Sequence, residues 1–184
     1  MWEVYTPGTS WRNLVGQIYT DAGVAQGAQL VISDTANNAQ RPSVAGLSGG
    51  GFAVGWDSTT SSSGTVFPAL VRTRAFSAAG VAQGTETVAS AAGASESWGA
   101  SLAAVTSGGY VVTWTHYPDH QVQAFTASGG LAGTVQTITN TVAQETTQGA
   151  AVAGGAGGGF LFAWQSYILV GSSAYLKVRA YSAH

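Results

Sequence analysis

The residues able to do chemistry are few. His116, Asp119 and His120 fall within one short segment, Thr115-His-Tyr-Pro-Asp-His120. Two imidazoles and a carboxylate suit zinc, but ligands this close in one loop need a particular turn, and no glutamate base sits nearby. The segment therefore reads as a solvated loop, with no metal and no cofactor. Asp57, Glu96 and Asp119 are the acids on the variable segments. Hydrolysis of a glycosidic bond needs two carboxylates facing each other across a cleft, so a glycoside-acting enzyme stands third among the readings. No Gly-x-Ser-x-Gly elbow and no phosphate loop occurs. With no catalytic set visible, the expectation is a protein that is not an enzyme.

Aromatic residues offer a different chemistry. Trp11, beside Arg12, and Trp98, near Glu96, stand outside any repeat, and Tyr117 lies between the two histidines. Flat aromatic rings take the apolar C–H faces of sugars, while Asp, Ser and His satisfy the hydroxyls. Trp11, Arg12, Asp57, Glu96, Trp98, His116, Tyr117, Asp119 and His120 are accordingly the expected ligand-binding residues.

The elements that must position them repeat. Gly51-Phe-Ala-Val-Gly-Trp56, Gly109-Tyr-Val-Val-Thr-Trp114 and Gly159-Phe-Leu-Phe-Ala-Trp164 share one pattern, and Met1-Trp2-Glu3-Val4 is a degenerate start. The tryptophans are 54, 58 and 50 residues apart. Periods of this size mark stacked supersecondary units. Within a unit the first run is small and apolar (Ser43–Leu47, Ser101–Val105, Ala150–Ala153), followed by a glycine turn and the aromatic run. A period of two sets Phe52, Val54 and Trp56 on one face. The opposite face is small or apolar, so both faces should be covered. A third run alternates polar residues (Arg72 and Arg74, Gln121 and Gln123, Lys177 and Arg179), which reads as a more exposed strand. A fourth run closes the unit.

The pattern predicts strands 2-3-4, then 1-2-3-4 twice, then 1-2-3. The fold class expected is all-β: four blade-like antiparallel units, as in a β-propeller, with the terminal units incomplete. The whole chain, 1–184, forms one repeat domain with units near 1–40, 41–95, 96–145 and 146–184. Trp2, Trp56, Trp114 and Trp164 are expected in the core. Turns 1→2 and 3→4 share a short, glycine-rich rim. Loops 2→3 and crossovers 4→1 share a long, variable rim, where recognition residues gather on a rigid scaffold.

Composition narrows the classes. Charged residues make up 8% and hydrophobic residues 45%, unlike the roughly 25% charge of ordinary soluble domains. With six Lys and Arg in all, a phosphate-neutralising surface for nucleic acid is not expected. Cysteine is absent, which excludes disulfides and thiolate metal sites. No apolar run is long enough for a membrane helix, and the start lacks a basic-then-apolar secretory leader pattern.

The phrase Gly-Gly-Tyr-Val-Val-Thr-Trp at 108–114, with Val-Gln-Ala-Phe-Thr-Ala-Ser-Gly-Gly at 122–130, resembles the roughly 50-residue propeller-like repeats of large bacterial surface and hemolysin-type secreted proteins. The resemblance spans nearly the whole chain. It implies an extracellular or cell-surface module of adhesion or recognition type. The chain is acid-poor for that pattern and has no Asp-x-Asp-x-Asp-Gly spacing, so calcium dependence does not carry over. The expected function is a non-enzymatic binding module, lectin-like, with a glycan or a protein as partner. The alternative is a structural or assembly subunit docking through its open strand edges, including a homo-oligomer in which a second chain completes the ring.

Overall fold

The computed structural model describes residues 1–5, 11–34, 38–59, 69–90, 97–138, 145–155, 157–168 and 173–181. The chain is all-β, and no helix occurs among the described residues, so none is long and apolar enough to cross a membrane. The first sheet holds β1 (Trp2–Tyr5), β2 (Arg12–Tyr19) and β3 (Ala25–Val31). The second holds β4 (Asn38–Gly46), β5 (Phe52–Thr59), β6 (Ala69–Phe76) and β7 (Thr87–Val88). The third holds β8 (Ser97–Ala104), β9 (Tyr110–His116), β10 (Asp119–Phe125) and β11 (Gln136–Ile138). The fourth holds β12 (Glu145–Gly154), β13 (Phe160–Ile168) and β14 (Ser173–Tyr181). Each sheet is an antiparallel meander, and the four are the blade-like units expected, three-stranded at both ends.

One register recurs. Trp2 pairs with Val15, Trp56 with Arg72, Trp114 with Gln121 and Trp164 with Lys177, always between a unit's aromatic strand and the strand after it. At the far end of the same strands, Phe52 stacks on Phe76, Tyr110 on Phe125 and Phe160 on Tyr181, with ring centroids 5.1, 5.1 and 4.8 Å apart. Period-two alternation therefore gives every sheet a tryptophan face and a small face.

Packing between sheets is head to tail. The second sheet lays Val54, Trp56 and Phe76 on Leu14 and Ile32 of the first. The third lays Tyr110, Val112 and Trp114 on Ala53, Val71 and Ala75 of the second. The fourth lays Phe162 and Trp164 on Ala103, Val111 and Val122 of the third. The small face has to be small: a β-carbon on Gly55 would overlap the Leu102 side chain of the next sheet. Each buried aromatic removes about 150–250 Å² from water, and Trp56, Trp114, Tyr110, Phe125 and Phe162 are the largest fully buried side chains.

Trp56 and Trp114 are 0% exposed and Trp164 is 8% exposed, as expected of core residues. Trp2 is not: it is 40% exposed. It holds the equivalent register, but among the described residues no sheet precedes the tryptophan face of the first sheet. The fourth sheet shows the converse, since Leu161, Leu176 and Val178 on its small face are exposed. Among the described residues, both faces are covered only for the two middle sheets.

The polar register of the third strands is only partly exposed: Arg179 is exposed, Arg72, Arg74, Gln121 and Lys177 are half-buried, and Gln123 is buried. Gln17 Nε2, Arg74 Nε and Gln123 Nε2 donate to the backbone carbonyls of Gln26, Gly84 and Gly133, at 2.8, 3.0 and 3.2 Å. The alternation supplies donors that tie the 3→4 turn back onto its own sheet, and Gln123 is buried.

Candidate functional site

The first strand of each of the last three units begins earlier than its apolar run and passes through a bulge. Register shifts lie between Gln40 and Ser43, between Trp98 and Ser101, and between Gln148 and Ala150. Arg41 (φ 52°) and Gly99 (φ 76°) sit at equivalent points of the first two. An extra residue in one strand bends it and leaves its N–H outside the ladder.

A carboxylate from the preceding sheet collects those N–H groups. Asp57 follows Trp56 directly and faces the third sheet. It accepts the Gly99 N–H at 2.9 Å and the Ala100 N–H at 3.3 Å. Arg41 Nε pairs with it at 2.7 Å. Glu3, at the corresponding place after Trp2, accepts the Arg41 N–H at 3.0 Å and pairs with Arg12 at 3.1 Å. Burial raises the Asp57 pKa, a shift opposed by the Arg41 charge and the two backbone donors. Asp57 is thus a buried brace inside β5 and not the opening of a solvated loop.

That brace fixes Trp98. The residue lies in β8, paired with Thr115, and not in a crossover segment. Three strand ends meet here. Ser97, His116 and Asp119 form one cross-strand row, while Trp98, Thr115 and His120 form the next. Successive rows point to opposite faces. His116 and Asp119 therefore share the face turned toward the second sheet, and His120 lies on the face turned toward the fourth. The turn between β9 and β10, with its cis Tyr117–Pro118 bond, holds two residues, so position 116 pairs with 119 and the histidines part.

The loop expected to be solvated is in fact divided. His120 is 1% exposed. It lies edge-on to Phe162 at 5.2 Å and to Trp164 at 6.0 Å between ring centroids, with Nδ1 3.4 Å from Thr115 Oγ1. Burial lowers its pKa from 6.5 to about 4, only partly offset by the Trp114 backbone and the Asp119 charge. His116 Nδ1 lies 3.1 Å from Ser97 Oγ and is half-buried, and Tyr117 is exposed. Among the described residues no three His, Asp or Glu side chains gather in a way that would hold a metal ion.

Trp11 and Arg12 occupy the same end of the first sheet. The Arg12 N–H donates to Asn38 Oδ1 at 2.9 Å, and its guanidinium lies 5.1 Å from the Tyr5 ring centroid. Trp11 is half-buried. Glu96 lies outside the described residues. The variable end therefore carries Trp11, Arg12 and Tyr5 on the first sheet and, on the third, Ser97, His116 and Asp119 on one face with Tyr117 at the turn and Trp98 on the opposite face. Sequence reasoning missed Glu3, Arg41 and Ser97. An acid directly after two of the repeat tryptophans was the available signal for the brace.

No protein-family model matches the chain, and no curated protein matches it.

Proposed function

We propose that the chain is a non-enzymatic recognition module, lectin-like, that takes a carbohydrate at the variable end of its third sheet and works at the cell surface or outside the cell. One observation carries this reading: three adjoining strand ends set Ser97, His116 and Asp119 on one face with exposed Tyr117 at the turn, while Trp98 flanks them from the opposite face of the same strand end, next to a bulge anchored by buried Asp57. Aromatic surface beside hydroxyl, imidazole and carboxylate groups matches a sugar's apolar face and hydroxyl rim. The tie to Asp57 lowers the ordering cost of binding, because the platform is already held. The resemblance to bacterial surface repeats supports the location. The test is a glycan panel read by tryptophan fluorescence. Binding by the native chain, lost at least tenfold in Trp98→Ala and in Tyr117→Ala while both keep the native melting temperature, is the expected result. Full affinity in both variants, or no glycan bound by the native chain, would remove the reading.

A further inference from the structure

The chain makes one kind of inter-sheet contact three times, and each end of the stack displays half of a fourth. The tryptophan face of the first sheet is open, with Trp2, Tyr19 and Val31 exposed. The small face of the fourth sheet is open, with Val178 54% and Leu176 76% exposed beside Leu161 and Ala180. The turns between third and fourth strands tell the same story. A β-carbon on Gly80 would reach Leu30 and Ile18 of the preceding sheet, and one on Gly129 would reach Ala75 at 3.5 Å. Gly23, in the same turn of the first sheet, has nothing within 4 Å. By register, the residue equivalent to Ile18 and Ala75 in the fourth sheet is Ala180.

These faces are not merely apolar. Their register and residue sizes specify what covers them, because the same pairing is present at every internal junction. We infer that the open face of the fourth sheet packs against the tryptophan face of the first sheet of a second copy of this chain, with Trp2 and Tyr19 over Val178 and Ala180 and the Gly23 turn seated on Ala180. Such a contact is head to tail, so it ends only when a ring closes. Four sheets leave both faces open. Two copies bring eight, the upper end of the four to eight blades that propellers contain. The assembly is therefore a closed pair, with no free face to recruit a third copy. Glycan recognition at the strand ends is a separate surface and neither requires nor excludes it.

Solution mass by light scattering tests this. The native chain is expected at twice 18.6 kDa across the micromolar range. Ala180→Glu and Tyr19→Lys alter side chains exposed in the single chain, so each should fold with an unchanged circular dichroism spectrum but run at single-chain mass. Mixed in equal amounts they should return to the double mass. In that pairing one junction is native and the other sets Glu against Lys. A native chain at 18.6 kDa over the whole range overturns the inference. So does a ladder of masses above the pair, or a pair that survives either single substitution.

Discussion

A neutral imidazole between two sheets makes stability depend on pH in a direction that can be worked out. In the unfolded chain His120 takes a proton near 6.5, and in the folded chain only near 4. Between those values the unfolded state binds more protons, so stability falls as pH falls from about 6.5 to about 4, by on the order of 3 kcal/mol. His120→Phe keeps an aromatic edge against Phe162 and Trp164 but cannot titrate. We expect the native melting temperature to drop between pH 7 and pH 5 and the variant to lose most of that slope. Asp57 works in the opposite sense. Its raised pKa means the folded state holds the extra proton, so this group alone favours folding as pH falls toward 3.8. Its structural value lies in accepting the Gly99 and Ala100 N–H groups. Asp57→Ala leaves those donors buried without an acceptor, at a cost of about 1–3 kcal/mol, readable as a lower denaturant midpoint at pH 7. The same variant should weaken glycan binding at Trp98 through loss of positioning.

Strands were legible because alternation is a local property. Phe52, Val54 and Trp56 share a face whatever packs on it, and the 3-4-4-3 division of strands follows from counting runs. Bulges were not legible, because they show in no residue type: Arg41 and Gly99 occupy equivalent points with nothing chemical in common. Their shared feature is a left-handed backbone, which costs a side chain about 1–2 kcal/mol. Gly99→Ala should therefore destabilise by about 1 kcal/mol even though a β-carbon there meets nothing within 4 Å. Chemical unfolding of that single variant checks it, and an unchanged midpoint would mean the φ of 76° is not required. The placement of His116 and His120 was partly legible. A two-residue turn over Tyr117 and Pro118 forces 116 opposite 119 and sends 120 to the other face. Reading the segment as one loop conceals that parity, which is why a solvated cluster was expected where the structure has a buried residue and a rim residue.

Whether a periodic tryptophan is core depends on the molecule and not on the motif. Trp2 and Trp114 occupy the same register, yet one is 40% exposed and the other 0%. The difference is a neighbouring sheet, a long-range fact absent from the local pattern around either residue. A stack of like units gains stability from each unit and from each junction with its neighbour. A tryptophan at an internal junction contributes to both, and one at an end face contributes mainly to its own sheet. Trp114→Ala should thus cost about 3–5 kcal/mol, as for other large aromatics removed from a packed core. Trp2→Ala should cost far less when the protein is dilute enough to be single. At higher concentration the native chain should gain melting temperature as copies pair, because assembly stabilises by mass action, and Trp2→Ala should lose that gain. Melting temperatures of the three proteins over a hundredfold concentration series decide the matter. Concentration-independent melting of the native chain, with Trp2→Ala as damaging as Trp114→Ala, would mean that the first sheet's tryptophan face is already covered within one chain.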